Sequence, residues 1–184
     1  MSRDGILRAA LELFARDGVA GTPLGRLREA AGVSPGAFYH HFSGRQQVVD
    51  ALFVECLGVY QREFLAELHG FDGVRAAVEG LVAFHVRWCR EHPERARFLF
   101  TERAPAGDHG RAFFRDVFAW WRERVRDGEL ARLDPGLVFV VWLGPAQELS
   151  RLWLAGAVPA PDDRRIAELG AAAWRALGGK NDDR

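Results

Sequence analysis

Lysine is nearly missing from this chain: of 25 basic residues, all but Lys180 are arginine. Aspartate and glutamate also number 25, so the net charge is zero and excludes no class of partner. Cysteine is scarce as well. Cys56 and Cys89, each set in an apolar helical pattern, exclude a disulfide framework and fit a reducing compartment. There is no run of about 18 apolar residues, which excludes a membrane span. The N-terminal MSRDGILRAALELF is amphipathic and lacks the apolar stretch and small-residue cleavage site of a secretory signal. A cytoplasmic protein with no membrane contact is the expectation. Period-two alternation is absent too, and with it any case for strands.

Catalytic signatures are also missing. The chain has no P-loop, no dinucleotide fingerprint and no Ser-His-Asp arrangement. Its acids and histidines are scattered over polar faces, so no catalytic residue and no cofactor is assigned, and an enzyme is not expected. One constellation invites a metal: His85, Cys89 and His92 stand at i, i+4 and i+7, and imidazole and thiolate suit zinc or copper. Pro93 ends that helix near His92, however, and no fourth ligand is placed. A core His85 and a capping His92 are the simpler assignment, with no metal.

What the chain does contain is helix. With 48% hydrophobic residues there is material for a full core. Ile6, Leu7, Ala10, Leu11, Leu13 and Phe14 recur at helical spacing, and Gly18 closes that helix as a left-handed cap. Thr22-Pro23 and Ser34-Pro35 each supply an N-cap followed by proline at the first helical position. They open two short helices, to about Ala31 and to Phe42, with the turn at Gly32 between them. Two short helices crossing through a glycine turn are the plan of a helix-turn-helix, and the second is of the kind that lies in a DNA major groove. Residues 1–48 hold six arginines (3, 8, 16, 26, 28 and 45) against four acids (4, 12, 17 and 29), a mild excess compatible with DNA.

A long helix from Arg45 to about Leu68 runs past this small domain, with Val49, Leu52, Phe53, Cys56, Leu57, Tyr60, Phe64 and Leu68 as its apolar stripe. With one end in each domain it is a mechanical connection. Further helices are read at about 74–90, 94–103, 111–126, 135–157 and 162–177, and APAGDHG (104–110) is the most loop-like stretch. The expected fold is all-α, with nine helices.

The residues from Ile6 to Leu52 resemble the N-terminal DNA-binding domain of the TetR family of one-component transcriptional regulators. The resemblance rests on A-L-E-L-F…G, then T-P-L-G-R-L-R-E-A-A-G-V-S-P-G-A-F-Y-H-H-F, then an Arg-led start to the long helix. It implies a dimer whose N-terminal helices bind a palindromic operator in double-stranded DNA. It also implies a C-terminal domain that dimerises through its last two helices and holds a small-molecule effector. The implied domains are a helix-turn-helix domain 1–46, a helical ligand-binding and dimerisation domain 47–178, and a disordered tail 179–184.

Carried over by position, the resemblance assigns Gly36 and Ala37 to the bases, Tyr39 to a phosphate through its hydroxyl, and His40 to a base edge or phosphate. Thr22 would meet a phosphate at the start of its helix, as helix N-termini do, and Arg45 would reach the backbone. Ser34 and Arg28 complete the DNA-facing set. Arg28 departs from the alanine usual at its position and must snorkel outward or gain a phosphate. Gly36-Ala37 has almost no side-chain donors, so thymine methyl contacts, His40 and DNA shape carry specificity as much as bidentate pairs do.

The aromatics after Arg45 serve as core or as the walls of an effector pocket. The residues assigned to the pocket are Trp88, Phe98, Phe114, Phe118, Trp121 and Trp142, with Tyr60, His85, Gln147 and Glu148 as its polar groups. The expected effector is apolar or aromatic and releases a repressor from its operator. Leu149, Leu152, Trp153, Ile166, Leu169, Ala173, Trp174 and Leu177 are the expected homodimer face. A competing reading is a helical ligand-binding or interaction protein whose helix-turn-helix has lost operator reading.

Overall fold

The computed structural model describes residues 2–104 and 107–178. The expected tail, 179–184, and two residues of the APAGDHG stretch, Pro105 and Ala106, lie outside the described residues. Among the described residues ten helices are formed: α1 (Arg3–Asp17), α2 (Leu24–Ala30), α3 (Pro35–His41), α4 (Arg45–Gly70), α5 (Val74–Glu91), α6 (Pro93–Thr101), α7 (Gly107–Arg126), α8 (Pro135–Trp142), α9 (Gly144–Leu154) and α10 (Asp163–Leu177). They fall into two compact units. The first holds the described residues to Val59 and those of 92–107; the second holds Tyr60–Glu91 and those from Asp108 onward.

The tenth helix has a local cause. The segment expected as one helix over 135–157 breaks at Leu143, because Pro145 has no N–H to return to Val141. Helix α8 closes with the Leu143 N–H on the Phe139 carbonyl at 2.9 Å, and α9 restarts with the Gln147 N–H on the Leu143 carbonyl at 2.8 Å. A second difference is at α7, which starts at Gly107 rather than Arg111. Gly107 and Gly110 have low helix propensity and read as loop, but they continue the helix upstream.

In the first unit, α1 is opened by Ser2, whose hydroxyl accepts the Gly5 N–H at 3.3 Å, and ends at Gly18 with φ 72°. Its buried face is Ile6, Leu7, Ala10, Leu13 and Phe14. These residues join Leu27, Phe38, Phe42, Val48, Val49, Leu52, Phe53 and Cys56 in one core. Helix α6 belongs to this core as well: Phe98 stacks on Phe14 at 5.9 Å between ring centroids. The first unit therefore extends beyond the limit expected at residue 46 and takes in a helix from much later in the chain.

The second unit is built around α5, whose Ala77, Val78, Leu81, Val82, Phe84, His85, Val86, Trp88 and Cys89 are buried. Helix α10 lies on α5 through Ile166, Gly170, Ala173 and Leu177, a stripe at spacings of four, three and four. The approach is close at Gly170, where a Cβ would stand 3.2 Å from the Glu79 carbonyl oxygen and 3.3 Å from its Cα. Gly170→Val is therefore expected to destabilise the protein by about 2–3 kcal/mol, since a helix backbone cannot yield as a side chain does. A thermal midpoint equal to that of the native chain would show that the two helices can separate without cost.

Candidate functional site

The α2–turn–α3 segment is shaped by two local devices. Gly32 takes φ 61°, and beside it the Val33 N–H returns to the Arg28 carbonyl at 3.0 Å. This left-handed turn is open to glycine and costly for a side chain with a Cβ. Ser34 then caps α3, its hydroxyl accepting the Ala37 N–H at 3.3 Å, with Pro35 following at the first helical position.

Phe38 and Phe42 anchor α3 from below, at 0% and 2% exposure. The opposite side is left to solvent: Ser34, Gly36, Ala37 and His40 are exposed, and Tyr39 is 55% exposed. A Cβ at Gly36 would meet nothing, so the open face is flat as well as accessible. His40 and His41 stand edge to face at 5.0 Å in the last turn. Six of the eight residues assigned to DNA from the sequence, Ser34, Gly36, Ala37, Tyr39, His40 and Arg45, are thus exposed on the first unit.

Thr22 is placed differently from expectation. It is fully buried, its hydroxyl donates to the Gly18 carbonyl at 2.8 Å, and its N–H donates to the Val19 carbonyl at 3.2 Å. Neither group is free for a phosphate, and Pro23 rather than Thr22 takes the N-cap position of α2. Arg45 secures the same connection: its Nη1 donates to the carbonyls of Val19 at 3.1 Å and Thr22 at 3.4 Å. Arg28 is half-buried, and its Nε is enclosed with no hydrogen-bond partner among the described residues. Arg3, outside the DNA-facing set expected from the sequence, holds its guanidinium 5.3 Å from the centre of the Phe42 ring at the end of α3. A lone arginine at a helix start carries no signal that would have singled it out.

In the second unit the expected pocket residues separate into groups. Tyr60 lies 5.0 Å from Trp88 and 5.7 Å from both His85 and Phe84. Phe114 and Phe118 pack on Phe139 at 5.3 and 5.8 Å, and Trp121 lies 5.7 Å from Trp142. Phe64 joins these groups, 6.0 Å from both Tyr60 and Trp142. Three assigned residues do not take part. Phe98 is in the core of the first unit, against Phe14. Gln147 and Glu148 are exposed on α9, and the Glu148 carboxylate is held by the Arg151 guanidinium at 2.6 and 2.8 Å. On α9 the buried face is Ala146 and Ser150, four apart, and Gln147 and Glu148 lie off that face.

Within the apolar interior, the Tyr60 hydroxyl lies 2.9 Å from His85 Nδ1, and His85 Nε2 lies 3.7 Å from Cys89 Sγ. Burial pushes the Tyr60 phenol upward, so it stays protonated at this contact with Nδ1. Burial also lowers His85 to about 4 and raises Cys89 to about 12, so both are neutral near pH 7. Cys56 is pushed up to about 11 by burial in the same way. Neither thiol has the thiolate character of a reactive cysteine. Among the described residues, no group of three His, Cys, Asp or Glu is gathered to hold a metal ion.

His85 gives the fold a pH dependence. Its folded value of about 4 lies below the 6.5 of a free imidazole, so the unfolded chain binds the extra proton first. Stability is full above about pH 6.5 and declines as pH falls towards about 4, by about 3 kcal/mol in total for this group. Urea titrations across that range are expected to show the decline, and His85→Phe is expected to flatten it. A decline of the same size in the variant would assign it to other groups.

The expected dimer residues also divide. Ile166, Ala173 and Leu177 are buried inside the chain, whereas Leu149, Leu152, Trp153, Leu169 and Trp174 remain partly exposed. No described helix is long and apolar enough to cross a membrane.

Residues 6–52 match the family model described as bacterial regulatory proteins, tetR family. The HTH-type transcriptional regulator RutR of Escherichia coli K12 is 27% identical over 150 residues, which cover 76% of this chain and 70% of the relative. A TetR family transcription regulator from Marinobacter aquaeolei VT8 has a similar fold, with a TM-score of 0.82, 19% identity and coverage of 97% of this chain and 96% of the other. FadR of Bacillus subtilis, solved in complex with stearoyl-CoA, gives a TM-score of 0.75 at 16% identity, covering 95% of this chain and 96% of the other.

Proposed function

The chain belongs to the TetR family of bacterial regulatory proteins, and from that premise we propose that it is a ligand-responsive repressor binding a palindromic operator as a homodimer. One observation carries the reading. The second helix of the helix-turn-helix is locked by Phe38 and Phe42 on one side and offers Gly36, Ala37, Tyr39 and His40 to solvent on the other. Phosphate contacts from Tyr39 and Arg45 set register, and the near-bare Gly36-Ala37 surface lets α3 approach base edges closely. Two such heads address successive major grooves when they stand about 34–36 Å apart.

An isologous pairing of two chains supplies that spacing. The partly exposed apolar residues of α9 and α10, Leu149, Leu152, Trp153, Leu169 and Trp174, are the ones available for it. The effector is an apolar or aromatic molecule taken into the ring-lined interior of the second unit around Tyr60, His85, Trp88 and Trp142. The complex of the similarly folded FadR with stearoyl-CoA supports an apolar effector of this kind. Such a molecule weakens operator binding only to the extent that it prefers the DNA-incompetent state.

Footprinting on DNA upstream of the protein's own gene tests the reading. The expected result is a protected palindrome with two chains bound, and about tenfold weaker binding by Tyr39→Ala at an unchanged thermal midpoint. Uniform weak binding to every fragment would favour a helical interaction protein that has lost operator reading.

A further inference from the structure

The end of α7 and the connection after it form a cleft of about 580 Å³ lined by Trp121, Arg122, Val125, Arg126, Arg132 and Leu133. The first four residues share a helix face, because 121 and 125, and likewise 122 and 126, stand four apart. The other two come from outside the helix, and α10 fixes their place. The Ala131 N–H donates to the Leu177 carbonyl at 2.8 Å, and Leu130 pairs with Gly178 in an isolated antiparallel bridge. Leu130 is 3% exposed, so this pairing is anchored by a buried side chain.

Among the described residues that line it, the cleft carries three guanidinium groups and no carboxylate. Arg126 answers Asp127 at 3.1 Å and Glu123 at 3.9 Å. Among the described residues the other two have no such partner. Arg122 donates from Nε to the Phe118 carbonyl at 3.1 Å, which orients its fork along the helix. Arg132 has no hydrogen-bond or ion-pair partner among the described residues. A basic last turn is ordinary at a helix C-terminus, where it meets the macrodipole. That explains Arg126, but Arg122 lies before the last turn and Arg132 lies outside the helix.

The apolar side of the cleft is Trp121, Val125 and Leu133. Trp121 is 3% exposed and forms a floor, and its indole N–H has no acceptor among the described residues. Buried donors of this kind are normally satisfied by a bound oxygen. We propose that this cleft binds an amphipathic oxyanion, a carboxylate or phosphate carried on an apolar body. The forks of Arg122 and Arg132 take the anion, since a guanidinium offers parallel donors to either group. The body lies on Val125, Leu133 and the Trp121 ring. The inference stands apart from operator binding, and its test contains no DNA.

Calorimetry on the whole chain with decanoate, phenyl phosphate and decyltrimethylammonium decides it. At least one of the two anions is expected to bind saturably, one per chain and more weakly as salt is added. Decanoate alone would identify a carboxylate site, phenyl phosphate alone a phosphate site, and both a general oxyanion site. The double variant R122Q/R132Q is expected to bind roughly tenfold or more weakly at an unchanged thermal midpoint, since both side chains are exposed. Three results would overturn the proposal: neither anion binding, equal binding by the double variant, or equal binding of the cation.

Discussion

Phe38→Ala is expected to lower the stability of the first unit by about 3–5 kcal/mol and to abolish operator binding with it. The side chain is 0% exposed and packs 6.0 Å from Phe42 and 5.6 Å from Tyr39. Removing the ring forfeits its transfer from water and leaves a cavity that the short helices α2 and α3 cannot close. A loss of that size is a large part of the total stability of a typical domain, about 5–15 kcal/mol. Phe38→Leu, which fills most of the volume, is expected to cost about 1.5 kcal/mol or less. Far-UV circular dichroism in urea reads both losses. An alanine variant with native midpoint and native DNA affinity would mean that α3 is not held by this ring.

The second unit has its counterpart in Trp142. It is 1% exposed, lies 5.8 Å from Trp120, 5.7 Å from Trp121 and 6.0 Å from Phe64, and donates its Nε1–H to the Val78 carbonyl at 3.0 Å. Trp142→Ala is expected to cost about 3–5 kcal/mol, from lost burial and from the cavity between α5, α7 and α8. The Val78 carbonyl loses its side-chain donor as well. Trp142→Phe keeps a ring and drops the hydrogen bond, so about 1–2 kcal/mol separates it from the native chain. All six tryptophans lie in the second unit, so tryptophan fluorescence in urea reports on this unit alone. A fluorescence midpoint unchanged by Trp142→Ala would show that the ring is not part of the load on this core.

The helix-turn-helix was legible in the sequence because its signals are local. A cap serine, a first-turn proline, a turn glycine and two phenylalanines four apart each act within one turn of chain. Tertiary placement was not legible in the same way. Nothing near Phe98 says that it packs on Phe14, more than eighty residues earlier, and so brings α6 into the first unit. Thr22 shows the same limit at short range: a threonine before proline reads as a cap, but its hydroxyl bonds backwards to Gly18 instead of forwards into α2. Pro145 lies inside the segment expected as one helix, and its missing N–H separates α8 from α9. The inward face of α9 is Ala146 and Ser150, and Gln147 and Glu148 fall on the outside. On α10 the periodicity shows the apolar stripe but not what covers it; Ile166, Ala173 and Leu177 are buried within the same chain, and α10 packs on α5.

The salt dependence of DNA binding bears on the regulator reading at its root. Fluorescence anisotropy would follow the chain on a fragment of its upstream DNA and on a scrambled fragment, from about 50 to 200 mM salt. If two heads each neutralise at least two phosphates with cationic side chains, the logarithm of affinity falls with the logarithm of salt at a slope of about −3.6 or steeper. The upstream fragment keeps a large advantage over the scrambled one, and Tyr39→Ala weakens it. Equal affinity for both fragments at every salt concentration, with Tyr39→Ala indistinguishable from the native chain, would contradict operator recognition through α3.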